Sequence, residues 1–125
     1  MNVNLSDFSA TQKKALFDLL ILAMYADGHL SSVEDLRLQQ LLTEMGYTSD
    51  FDRQREFDAA VTRMRPYTKT PQMACDQVVL NAMTFVTPTQ RHKVYALVQE
   101  IVTSDSHVSP VESNLLSALR AQFKL

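Results

Sequence analysis

Apolar residues recur at the three-and-four spacing of an α-helix along most of the chain, and no stretch alternates as a half-buried strand would. Ser9-Ala10-Thr11-Gln12 has the form of a capping box, and the helix it opens runs to about Ala26. Leu16, Phe17, Leu19, Leu20, Ile21, Leu22, Ala23 and Met24 cover most of its circumference, which predicts a central helix packed on several sides. A second helix follows Ser31, with Leu38, Leu41, Leu42 and Met45 on one face. A third spans about Ser49 to Arg65, buries Phe57, Ala60, Val61 and Met64, and is closed by Pro66. Thr70-Pro71 starts a fourth, with Val79, Ala82, Met83 and Val86 as its apolar face. Thr87-Pro88-Thr89-Gln90 starts a fifth, with Val94, Leu97, Val98 and Ile101 inside. The sixth runs from Pro110 to about Gln122 and carries Leu115, Leu116, Leu119 and Phe123. The fold class is therefore all-α: a compact bundle of about six helices joined by short connections, in one domain over residues 1–125.

The pattern also repeats. Asp27-Gly28-His29-Leu30-Ser31-Ser32-Val33-Glu34 returns as Asp105-Ser106-His107-Val108-Ser109-Pro110-Val111-Glu112, a shift of 78 residues. The same shift maps Leu19 onto Leu97, Leu20 onto Val98, Leu38 onto Leu116 and Leu41 onto Leu119, so the duplicated unit is a helix-loop-helix. It predicts that helices one-two and five-six are equivalent pairs bridged by helices three and four. In both copies Ser stands three before Glu, the capping-box spacing, so Ser31/Glu34 and Ser109/Glu112 are first of all helix starts. Pro110 falls at the first helical position, where its missing N–H costs nothing. Asp27 and Asp105 differ, because a carboxylate at a helix C-terminus is opposed by the macrodipole. Their local role would be an Asx-turn onto loop amides.

Asp-Gly-x-Leu-x-x-x-Glu also matches the second half of a twelve-residue EF-hand loop, with Gly28 at the tight turn and Glu34 closing it. The first half lacks its oxygen ligands: Ala23 and Tyr25 stand there in one copy, Ile101 and Thr103 in the other. Neither copy alone makes a good calcium loop. Packed together, the two would bring Asp27, Glu34, Asp105 and Glu112 into one shared divalent-cation site, with His29 and His107 as possible additional ligands that would favour zinc or another transition metal. The bland alternative is that the acidic pairs only cap helices and the histidines face solvent.

A formal net charge of -2 without a dominant basic patch argues against nucleic acid as a partner. Arg53, Arg55, Arg63, Arg65 and Lys69 make at most a modest positive face, which reads as solvated helix surface. One cysteine, Cys75, excludes an intramolecular disulfide and fits a reducing compartment such as the cytoplasm. It falls among helical apolar positions and reads as a buried, inert thiol. The apolar run Ala15–Ala26 is interrupted by Asp18 and is too short to span a bilayer, which argues against direct membrane insertion. No phosphate-binding glycine loop, nucleophile motif or Cys/His ligand series points to an enzyme. Asp105-Ser106-His107 superficially suggests a hydrolase, but three adjacent residues do not orient one another as a triad does.

Ala26-Asp27-Gly28-x-Leu30-Ser31-x-x-Glu34, duplicated near the C-terminus of an all-helical chain, resembles the TerB-like tellurite-resistance domain. The resemblance covers nearly the whole chain. It implies a non-enzymatic bacterial module linked to tellurite and other chemical stress, acting through protein partners and also found fused to membrane-anchored J-domain co-chaperones. It further implies Asp27, Glu34, Asp105 and Glu112 as ligands of a divalent cation. Ser106 replaces Gly28 in the second copy, and a non-glycine residue is disfavoured where φ is positive. The two loops are therefore expected to differ in shape.

Overall fold

The computed structural model describes residues 5–25, 31–103 and 108–125. Among these residues there are six α-helices and no strand: α1 Ala10–Tyr25, α2 Ser32–Glu44, α3 Asp50–Met64, α4 Pro71–Ala82, α5 Pro88–Val102 and α6 Pro110–Phe123. Helix starts follow the capping chemistry. Ser31, Ser49, Thr70, Thr87 and Ser109 each hold an extended backbone and accept a hydrogen bond from the amide three residues on. The Ser9 hydroxyl does the same for Gln12 at 3.1 Å. Gly46 follows α2 at φ +108, a conformation glycine adopts without strain.

Leu16 to Met24 form an unbroken buried run in α1. Such a helix must be surrounded, and α3, α4, α5 and α6 all pack against it. α4 lies closely on α6, α5 packs on α6, and α2 contacts α3 and α5. The two duplicated units are thus not packed alike: α5 and α6 are close partners, whereas α1 and α2 are not among the closely packed pairs.

Two other expectations need correction. α4 buries Ala74, Val78 and Ala82, the i, i+4, i+8 stripe, while Met83 and Val86 are 60% and 67% exposed. The reason is that α4 ends at Ala82, so Met83 and Val86 lie beyond its last turn and Phe85 turns inward instead. Pro66 does not close α3 alone; the chain tightens into a 3₁₀ turn over Arg65–Thr68 that contains it. Among the methionines, Met24 and Met64 are buried, Met45 is half-buried, and Met73 is exposed.

The starts of α1 and α5 meet at an internal two-fold relation. Gln12 and Gln90, 78 residues apart, exchange Nε2–H···Oε1 hydrogen bonds of 3.1 Å in both directions, a cyclic carboxamide pair. Each Nε2 also reaches the backbone just before the other helix: Gln12 donates to the Thr84 carbonyl at 3.2 Å and Gln90 to the Asp7 carbonyl at 3.0 Å. Beneath them Phe8 and Phe85 pack at 5.7 Å between ring centroids. Hydrogen bonds that satisfy both partners at a part-buried seam fix register. Gln90→Ala leaves the Asp7 carbonyl and the Gln12 amide short of partners, and is expected to lower stability by about 1–3 kcal/mol in denaturant unfolding. Gln12→Ala added to Gln90→Ala should cost clearly less than Gln12→Ala alone, because both changes remove the same pair.

Candidate functional site

Glu34 and Glu112 occupy the third position of α2 and α6, and each closes a complete capping box. Ser31 N–H donates to Glu34 Oε1 at 2.9 Å, and Glu34 N–H donates back to Ser31 Oγ at 3.1 Å. In the second unit both corresponding distances, Ser109 N to Glu112 Oε1 and Glu112 N to Ser109 Oγ, are 3.1 Å. Depth distinguishes these glutamates from an ordinary cap. Glu34 is 2% exposed and Glu112 3%, whereas Asp52, at the same position of α3, lies in the open. No Lys or Arg among the described residues forms an ion pair with Glu34. Burying a carboxylate is costly unless it is hydrogen-bonded, and a buried glutamate that closes a capping box occurs only at the two duplicated starts among the described helices.

Asp27, His29, Asp105 and His107 lie outside the described residues, as do Gly28 and Ser106. Of the sequence-derived ligand set, then, Glu34 and Glu112 are the members whose placement is described. Among the described residues no three His, Cys, Asp or Glu side chains group so as to hold a metal ion. A cation site at the repeated unit thus depends on the loop aspartates as well as the helix glutamates.

Residues 13–125 match the family described as tellurite resistance protein TerB. The chain belongs to the TerB family. No curated protein and no solved structure matches it. The TerB match spans both duplicated units, all but the first turn of α1, and the capped glutamates at the starts of α2 and α6. No helix of the described residues is long and apolar enough to cross a membrane.

Within this TerB fold a third buried carboxylate, Asp18, stands in the middle of the apolar α1 run. Its partner is Arg63 of α3, with Nη2 2.8 Å from Oδ1 and Nε 3.4 Å from Oδ2. The run of apolar letters around Asp18 was the available signal, since a charge at such a position demands a counter-ion. Burial raises the Asp18 pKa above the ordinary 3.8, opposed by the Arg63 hydrogen bond and charge. Cys75 is half-buried rather than fully so, and burial together with Asp76 raises its pKa, which favours the inert thiol.

Removing Arg63 isolates the Asp18 charge. Arg63→Leu is expected to cost about 3 kcal/mol at pH 7, the low end for a broken buried pair. The folded-state pKa of Asp18 lies above its unfolded value, so its protonation favours the fold at acid pH and that contribution is lost as pH rises through the folded pKa. Without Arg63 the folded pKa climbs further. The deficit of Arg63→Leu against the parent should therefore shrink as pH falls toward 4, measured by urea unfolding across that range.

Proposed function

We propose that this TerB-family chain is a non-enzymatic helical module that binds a divalent cation at its two repeated acidic loops and works through protein partners in a bacterial stress response in the cytoplasm. The observation that carries the reading is the burial of Glu34 and Glu112 at equivalent helix starts. A cap needs no such depth, since the Ser9–Gln12 box at the start of α1 closes on a side chain that is only half-buried, whereas a carboxylate beside a cation gains from exclusion of water. The donor chemistry fits. Capping uses one lone-pair direction of each Glu, a carboxylate offers about four, and so capping and ligation are compatible. Glu34 and Glu112, with Asp27 and Asp105, would form a hard oxygen donor set suited to Ca²⁺, Mg²⁺ or Mn²⁺; His29 and His107 would shift it toward Zn²⁺.

A metal-free adaptor is the second reading, favoured by the completeness of both capping boxes. Glutamine also serves at the third position of such a box. Glu34→Gln with Glu112→Gln therefore removes charge and keeps the caps.

Thermal unfolding of chelator-treated protein with Ca²⁺, Mg²⁺, Mn²⁺ or Zn²⁺ separates the readings. A cation that binds only the folded state at a hundredfold its Kd should raise Tm on the order of 10 °C. That shift should vanish in Asp27→Ala, in Asp105→Ala and in the Glu→Gln double variant. An unchanged Tm with every ion contradicts the cation site and leaves the adaptor. In that case Ser31→Ala or Ser109→Ala should still cost about 0.5–2 kcal/mol through the lost cap.

A further inference from the structure

The loose contact between α1 and α2 leaves a cavity of about 160 Å³ near the start of α1, the end of α2 and the middle of α3. Its apolar wall is Phe17, Leu42 and Met45. Lys13, Lys14 and Arg63 also line it, as does Glu56. Tyr47 adds a phenol whose pKa burial raises, so it stays protonated and able to donate. Arg63 is held by Asp18 through Nε and Nη2. Lys13 and Lys14 make no ion pair among the described residues.

The duplication supplies an internal control. Under the 78-residue shift Lys13, Phe17 and Met45 correspond to Arg91, Tyr95 and Phe123. There Phe123 is buried and packs edge-on to Phe85 at 6.3 Å, and the Arg91 guanidinium sits 6.0 Å over its ring. The fold therefore accommodates a filled version of this position, with a phenyl ring where the first unit has Met45 and a cation above it. In the first unit the cation remains, as Lys13, and the ring does not.

We propose that the cavity binds a small monocarboxylate with an apolar body of about benzene size. A cavity of about 150 Å³ holds a benzene-sized molecule. Three cations, Lys13, Lys14 and Arg63, stand against the carboxylates Glu56 and Asp18, which leaves one positive charge for one anionic group. The carboxylate lies at the lysines, and the apolar body takes the position that Phe123 holds in the second unit. Glu56 disfavours a dianion. The site is about 18 Å along α1 from Tyr25, where the helix reaches the acidic loop, so it stands whether or not the loops bind a cation.

The experiment is a ¹H–¹⁵N NMR titration of the full chain with benzoate and with hexanoate, against benzylamine and benzyl alcohol. Both carboxylates should produce saturable shifts centred on Lys13, Phe17, Met45 and Tyr47, at lower concentration than either control. Lys13→Gln with Lys14→Gln, changes at the protein surface, should weaken benzoate binding roughly fivefold. Met45→Phe, which copies the second unit, should abolish it while the rest of the spectrum shows the fold intact. Non-saturable shifts, equal binding of benzylamine, or undiminished benzoate binding by either variant would overturn the proposal.

Discussion

A helix apolar around its whole circumference has to be enclosed, and α1 sets that requirement for this chain. From Leu16 to Met24 every residue is buried, so α3, α4, α5 and α6 are arranged to cover it. The demand extends to the one charge in the run. Asp18 is accommodated because Arg63 reaches it from α3, and the same contact fixes α3 against the pillar. α2 stands apart from this closest packing, and the space left beside it is the cavity between α1 and α2.

The duplication gives the enclosure its order. α1 and α5 begin side by side, joined by the Gln12–Gln90 pair with Phe8 and Phe85 beneath it. Their equivalents match in burial along the helices, Leu16 with Val94, Leu20 with Val98 and Met24 with Val102, and the following helices both begin with a buried glutamate. The copies diverge, among other places, at the space beside the end of their second helices. Phe123 fills that space in one copy, and Met45 leaves it open in the other. One architecture can thus hold a structural position and a binding position at related places.

Much of this was legible in the residues. Ser or Thr three before an acceptor marks the starts of α1, α2, α5 and α6, Pro at the first helical position marks those of α4, α5 and α6, and the structure uses those caps. The 78-residue shift marked the glutamates, and the TerB family match agrees with the resemblance carried by the motif. The same shift also relates Ser9-x-x-Gln12 to Thr87-x-x-Gln90, but a cap signal speaks of one helix and not of its neighbour. The Gln pair therefore needed tertiary structure. Ala82 was read correctly, but the rest of the α4 face was misread because Ala74 carries little hydropathic signal beside Val79, Met83 and Val86. Asp18 was visible as an interruption, but its partner, 45 residues away, was not. For the acidic site, the helix glutamates are placed, while Asp27 and Asp105 lie outside the described residues.

Since each acidic loop has only half of an EF-hand's ligands, sharing between the two units is the central claim about function. Isothermal titration calorimetry with the cation that most raises Tm tests it directly. A shared site predicts one ion per chain, with Glu34→Gln or Glu112→Gln alone each weakening that single event strongly. Two ions per chain, with each substitution removing one and sparing the other, would contradict sharing, and no measurable binding by the parent chain would contradict the cation site itself.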